Sequence, residues 1–273
     1  MMAASDPGGP PVPDSHESCS PTARRLELSL TTADGVSLAG CLRAVDAPRG
    51  AVVVAHGMSA SMDNGAVATT ADAMEQAGFA VVTYDARGHG RSAGRCTLGE
   101  LECLDVAAAV DVAGELSDAI YLVGASMGGI AVLRYAAGAT GISGVVAVST
   151  PGEWELPRTA RGLLAAGVTR SQPGRWAARR WLGVRLSPEW RGLDPPARLA
   201  SIVEGPLAVV HGRNDRFVPA AAAHKLFAAA RGPRRLDLVR GMGHAFQQRA
   251  VAPIVAALEW ASATSGRPSA ATT

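Results

Sequence analysis

In the stretch Gly124-Ala125-Ser126-Met127-Gly128 a serine stands among glycines and fits the pattern G-x-S-x-G. A serine hydroxyl is a poor nucleophile near neutral pH. To attack a carbonyl it needs a base, and the base needs a group that fixes its tautomer and stabilises its positive form. The chain downstream offers an acid and then a histidine: "VVHGRNDRFVP" carries Asp215 and "LVRGMGHAF" carries His244. Serine, acid, histidine is the order expected when the serine sits on a sharp strand-to-helix turn and its partners leave the ends of later strands. The chemistry of such a set is acyl transfer through a covalent intermediate.

Each residue also has a plainer reading. Glycines close many strand-to-helix turns around an idle serine, and Asp215 could simply cap the helix that opens after Pro219. Glu153, in the loop after the preceding strand, is a rival acid; Asp215 is preferred for its place in the chain order. His244, between Gly243 and Ala245 in a loop, has little packing reason to be histidine. His16 lies in the N-terminal stretch, His224 on a predicted helix surface and His211 at a strand end. His89 sits in a glycine loop whose conformation explains it. None has a histidine or cysteine four residues on, so no metal is expected, and "DARGHGRSAG" lacks the G-x-G-x-x-G of a nucleotide site, so no cofactor is expected either.

Charge developing on an attacked carbonyl oxygen needs N–H donors. The backbone of Met127, just after the serine, should supply one. The second should come from Met58, where "VVVAHGMSAS" leaves its strand through His56-Gly57.

These residues meet only if the intervening elements alternate. "RLELSLTT" and "GVSLAGCLRA" flank Asp34-Gly35, a hairpin signal, so the sheet should open with an antiparallel pair. "GAVVVAHG", "AVVTYDA", "AIYLVGAS" and "ISGVVAVST" then read as buried strands, with helices over about Gly65 to Ala77, about Leu98 to Glu115 and from Met127. The rhythm breaks over residues 151–200, which hold no convincing strand but four of the five tryptophans. It resumes with "GPLAVVHG", a helix after Pro219, "RRLDLVRG" and a last helix from about Gln247 to Thr264. The expected organisation is an N-terminal tail over 1–24, a core over 25–150 and 201–264, a helical insertion over 151–200 and a tail over 265–273.

The chain has 273 residues, 48% hydrophobic and 18% charged, enough apolar material for one sizeable α/β core. A net charge of +2, with no basic run, gives no reason to expect nucleic acid as partner. Cys19, Cys41, Cys96 and Cys103 form no CxxC pair and read as reduced thiols of a cytoplasmic protein, and no run is long enough for a membrane span.

Taken together, "GASMGG", "HGRNDRFVP", "GMGH" and the glycine-rich "YDARGHGRSAG" resemble the α/β-hydrolase superfamily over nearly all of residues 25–264. The chain is most similar to its serine aminopeptidase, monoglyceride lipase and esterase-like branch. That resemblance implies a three-layer fold with a mostly parallel eight-stranded sheet, a small helical lid after the sixth strand and a Ser126-Asp215-His244 triad. His56-Gly57-Met58-Ser59 departs from the lipase HGGG pattern, against bulky-ester specificity.

The implied activity is a serine hydrolase acting on an ester, thioester or related acyl bond of a small molecule. The alternatives are a non-hydrolytic reaction of the same triad (acyl transfer, cyclisation, C–C cleavage or lyase chemistry) and a non-catalytic binding protein on this scaffold. Gly57, Trp154, Trp176 and Trp181 are the expected substrate contacts. The insertion carries nine arginines against Glu153, Glu155, Glu189 and Asp194. It could receive an anionic substrate or an acidic carrier protein, or it could be a solvated helical surface with its tryptophans packed inward.

Overall fold

The computed structural model describes residues 24–153, 171–189 and 194–265. Trp154 and Trp190 lie outside the described residues, as do the expected tails apart from Arg24 and Ser265, which belong to the first strand and last helix.

The strands are β1 (Arg24–Thr31), β2 (Ser37–Ala44), β3 (Ala51–Ala55), β4 (Ala80–Tyr84), β5 (Ile120–Ala125), β6 (Ile142–Val148), β7 (Leu207–Gly212) and β8 (Arg234–Val239). They form one eight-stranded sheet in the order β1-β2-β4-β3-β5-β6-β7-β8. β2 runs antiparallel to both neighbours, and every other pairing is parallel. Every residue of β3, β4 and β7 is buried, which is what unbroken apolar runs such as AVVVA become when helices cover both faces. β1 is an edge strand and buries only Leu30, leaving Arg24, Arg25 and Glu27 to solvent.

The described helices are α1 (Gly65–Gln76), α2 (Glu102–Gly114), α3 (Met127–Gly138), α4 (Gln172–Leu182), α5 (Pro196–Ala200), α6 (Ala221–Ala229) and α7 (Val251–Ser265). α1 and α7 seal one face around Met74, Phe79, Ile254 and Leu258. α2, α3, α5 and α6 seal the other around Val106, Leu133, Leu199 and Leu226. The result is three layers, with α4 and α5 in the stretch between β6 and β7.

α2 starts four residues later than the sequence pattern suggests. Leu98 and Gly99 have positive φ, and the buried Glu102 carboxylate takes the N–H groups of Thr97 and Gly99 at 2.6 and 2.7 Å. This turn-and-clamp uses residues that would otherwise extend the helix. α4 is capped at both ends: Ser171 accepts the Gly174 N–H, and Gly183 turns left-handed at φ 68°. Cys41, Cys96 and Cys103 are free thiols; Cys19 lies outside the described residues.

Candidate functional site

Parallel register brings Ala55 beside Gly124 and Ala125 beside Val148, so the chain leaving β3 and β6 flanks Ser126 at the carboxyl edge of the sheet. Ser126 caps α3 at φ 53° and ψ −113°, a conformation costly for any residue with a Cβ. It persists because both sides hold it. The Ser126 N–H donates to Val148 O at 2.9 Å, and its carbonyl accepts the Ile130 N–H at 3.1 Å.

Small neighbours make the turn possible. A Cβ on Gly128 would run into the carbonyl oxygens of Ala55 and His56, and one on Gly124 into Gly128 O. Gly57 packs so near that its Cβ would stand 3.4 Å from Ser126 Cβ.

Asp215 and His244 arrive from the loops after β7 and β8, which are held together by Arg213 N–H on Val239 O and Asn214 N–H on Met242 O. Asp215 Oδ1 accepts the N–H groups of Phe217 and Val218, each at 2.9 Å. Its Oδ2 accepts His244 Nδ1–H at 2.8 Å. With that proton on Nδ1, Nε2 is left to accept from Ser126 Oγ at 3.0 Å. Ser126, His244 and Asp215 therefore form one hydrogen-bonded line.

The Asp215 side chain is fully buried, and burial alone would raise its pKa. The hydrogen bond and electrostatic attraction of the His244 ring, with the two backbone donors, outweigh burial and hold the carboxyl below its ordinary value. Glu153, the rival acid, instead accepts from Lys225 Nζ at 2.7 Å, on the α6 side.

Among the described residues neither the Met58 nor the Met127 backbone N–H donates to a protein acceptor. Gly57, Met58, Ser59, Ala60, Val67 and Phe246 border a cavity of about 220 Å³ that also exposes Ser126 and His244. Trp176 and Trp181 do not line it. They lie 63% and 73% exposed, edge to face with ring centres 5.9 Å apart. They are not packed inward: Ala178 is the buried residue of α4. Trp154 lies outside the described residues.

Three other histidines do more than their sequence positions suggest. His56 Nδ1–H donates to Gly57 O at 2.8 Å, and its Nε2 accepts the Ala86 N–H at 3.0 Å. His89, read from the sequence as a residue explained by its glycine loop, is buried. Its Nδ1–H donates to Arg87 O at 3.1 Å, and Nε2 accepts the Ser59 N–H at 3.4 Å. His211 is buried beside Asp215, with Nε2 3.0 Å from Val218 O and 3.6 Å from Asp215 Oδ2. Burial lowers the pKa of all three, so they are neutral at pH 7. The one available signal was their place at strand ends or in glycine loops near the candidate site.

Among the described residues no group of three His, Cys, Asp or Glu could hold a metal ion, and no helix is long and apolar enough to cross a membrane.

Residues 46–189 match the family model described as serine aminopeptidase, S33. No curated protein sequence gave a significant match. Among solved structures, the chain is similar to an esterase of Pyrococcus furiosus, with 22% identity, a TM-score of 0.66 and coverage of 89% of this chain and 91% of that one. It is also similar to Est1E of Butyrivibrio proteoclasticus, solved with ferulic acid bound (20% identity, TM-score 0.64, 88% and 100% covered). The α/β hydrolase GrgF of Penicillium sp. sh18 superposes with TM-score 0.68 at 17% identity, covering 89% and 100%. At these identities the likeness is one of fold.

Proposed function

The chain belongs to the serine aminopeptidase S33 family of the α/β-hydrolase superfamily, and from that premise we propose that it is a serine hydrolase that cleaves an ester, thioester or related acyl bond of a small molecule. The observation that carries the reading is the line Ser126 Oγ, His244 Nε2, His244 Nδ1, Asp215 Oδ2, with gaps of 3.0 and 2.8 Å.

In this reading Ser126 Oγ attacks the acyl carbon while His244 Nε2 takes its proton. The carbonyl oxygen becomes an anion held by the N–H groups of Met58 and Met127, at the N-terminus of α3. The imidazolium then gives its proton to the leaving oxygen or sulfur, leaving the acyl group on Ser126. Water repeats the sequence with His244 as base, which frees the acid and restores the serine. Asp215 stays ionised throughout, holding the ring in the Nδ1–H tautomer and stabilising its charged form.

A cavity of about 220 Å³ walled by Met58, Ala60, Val67 and Phe246 suits a short or compact acyl group. On the insertion, Arg175, Arg179 and Arg180 share α4 with Trp176 and Trp181, which suits an anionic leaving group or an acidic carrier protein.

The test is pre-steady-state hydrolysis of p-nitrophenyl butyrate and of the matching butyryl thioester. An initial burst of one leaving group per enzyme followed by steady turnover, both absent from Ser126→Ala, is the expected result. Turnover unchanged in Ser126→Ala would overturn the reading.

A further inference from the structure

The loop that leaves β3 presents Met58 beside Ser126, but it has little regular structure of its own. Ser59 stands at φ 65° on an exposed turn, and within the loop the Ala60 N–H donates to Gly57 O at 3.2 Å and the Asn64 N–H to Ser61 O at 3.1 Å. Two more of its backbone N–H groups, those of Ser59 and Met62, are held from outside, by the loop that leaves β4. Asp85 Oδ1 accepts the Met62 N–H at 2.8 Å, while Oδ2 accepts the Arg91 N–H at 2.8 Å. His89 Nε2 accepts the Ser59 N–H at 3.4 Å. In return His56, at the head of the first loop, accepts the Ala86 N–H of the second, and its ring meets that of His89 edge to face at 5.1 Å. The two loops are thus cross-tied, and the tie nearest Met58 is the one from His89 to the next residue.

We propose that His89 is a positioning residue for the reaction: by accepting the Ser59 N–H it fixes the peptide that follows Met58 and so aims the Met58 N–H at the oxygen of the substrate acyl group. The inference rests on the reading of Ser126 and Met58 given above. His89 is a residue from an adjacent loop that touches neither Ser126 nor the cavity, and it acts only through the backbone of its neighbour.

Side-chain chemistry restricts what can stand there. The position needs a buried acceptor at the reach of Nε2 and a donor for Arg87 O on the opposite side, which neutral imidazole provides in one tautomer. Were Nε2 protonated, its N–H would face the Ser59 N–H and the tie would become a repulsion. Burial, together with repulsion from His56, outweighs the Arg87 carbonyl and the attraction of Glu102 and Asp85. The ring is held at about 4, so at neutral pH it accepts. Gly90 lets the loop close on Asp85, since a Cβ there would collide with that carboxylate, and its φ of 41° favours glycine.

The experiment is steady-state hydrolysis of p-nitrophenyl butyrate by the parent, Ser126→Ala, His89→Leu and His89→Gln, with thermal unfolding of each. Leucine fills the space without an acceptor, whereas glutamine carries Oε1 near the position of Nε2. His89→Leu should lose about tenfold to a hundredfold in kcat with KM nearly unchanged, because an oxyanion donor acts in the transition state. His89→Gln should recover most of that loss. Parent-like kcat in His89→Leu would overturn the inference. So would equal damage in both variants accompanied by equal loss of thermal stability, the outcome of a purely structural role. A parent whose turnover does not depend on Ser126 would instead overturn the underlying functional reading and this inference with it.

Discussion

His244 Nε2 stands 3.0 Å from Ser126 Oγ although 118 residues separate them. Their strands are not neighbours either, since β6 and β7 lie between β5 and β8. The loop after β8 therefore has to lean back over the end of β7, and Gly212 leaves room for it. A Cβ on Gly212 would collide with the carbonyl oxygens of Gly243 and Met242. Gly212→Ala should displace His244 without unfolding the sheet. A misplacement near 1 Å can cost about a hundredfold in rate, so kcat/KM for a simple ester should fall on that order while the far-ultraviolet spectrum stays parental.

Asp215 and Glu153 compete on paper for the role of acid, and their partners separate them. Asp215→Asn should lower kcat by roughly ten-thousandfold, because the amide favours the wrong tautomer of His244. Glu153→Gln breaks a half-exposed pair with Lys225 and should leave kcat within about twofold. Side-by-side kinetics with one ester decides this.

Arg87 ties the hairpin between β1 and β2 to the interior. Its guanidinium pairs with the buried Asp105 through Nε at 2.7 Å and grips Asp34 through Nη1 and Nη2 at 2.7 and 3.0 Å. That grip outweighs the opposing cost of burial and, with the Thr32 hydrogen bond and the Arg87 charge adding to it, lowers the Asp34 pKa to about 2. Arg87→Met would leave the buried Asp105 without its countercharge, keeping only the residue-87 backbone N–H at 2.8 Å, and should cost about 3–5 kcal/mol in urea unfolding. Asp34→Asn, at the more exposed end, should cost much less.

His89 also makes a prediction about stability. Its folded pKa of about 4 lies below the ordinary 6.5, so the unfolded chain binds the proton more readily. Its contribution is complete above about pH 6.5 and is lost as pH falls toward 4. At about pH 5 the loss should be on the order of 2 kcal/mol. Urea unfolding at neutral pH and at about pH 5 should show this acid slope in the parent and a smaller one in His89→Gln.

If α4 receives an anionic ligand, replacing Arg175, Arg179 and Arg180 with glutamine should raise KM for esters bearing a carboxylate or phosphate. Neutral esters of the same size should be unaffected. Equal loss for both would show that the arginines serve the packing of α4 rather than a ligand.

The sheet was legible because β3, β4, β5 and β7 are mostly apolar runs, and the hairpin because Asp34-Gly35 separates two alternating ones. That Ser126, Asp215 and His244 would come together was legible for a related reason: each follows a strand that could be counted, and the structure joins them by hydrogen bonds of 3.0 and 2.8 Å. His56, His89 and His211 were not, because each serves by bonding to loop backbone, and such bonds leave no periodic trace. The late start of α2 was hidden in the same way. Leu98 looks helical, and only the Glu102 carboxylate bonded to the N–H groups of Thr97 and Gly99 shows that a turn was stabilised there instead. The exposure of Trp176 and Trp181 ran against the rule that large aromatic residues turn inward.

The central claim is that Ser126 is an activated nucleophile. It is tested most directly by intact-protein mass spectrometry after brief treatment with a fluorophosphonate, on the parent, Ser126→Ala and His244→Ala. The account predicts one adduct on the parent, mapped to Ser126, none on Ser126→Ala, and labelling of His244→Ala slowed by at least about a hundredfold. An unlabelled parent, or an adduct that survives in Ser126→Ala, would contradict it.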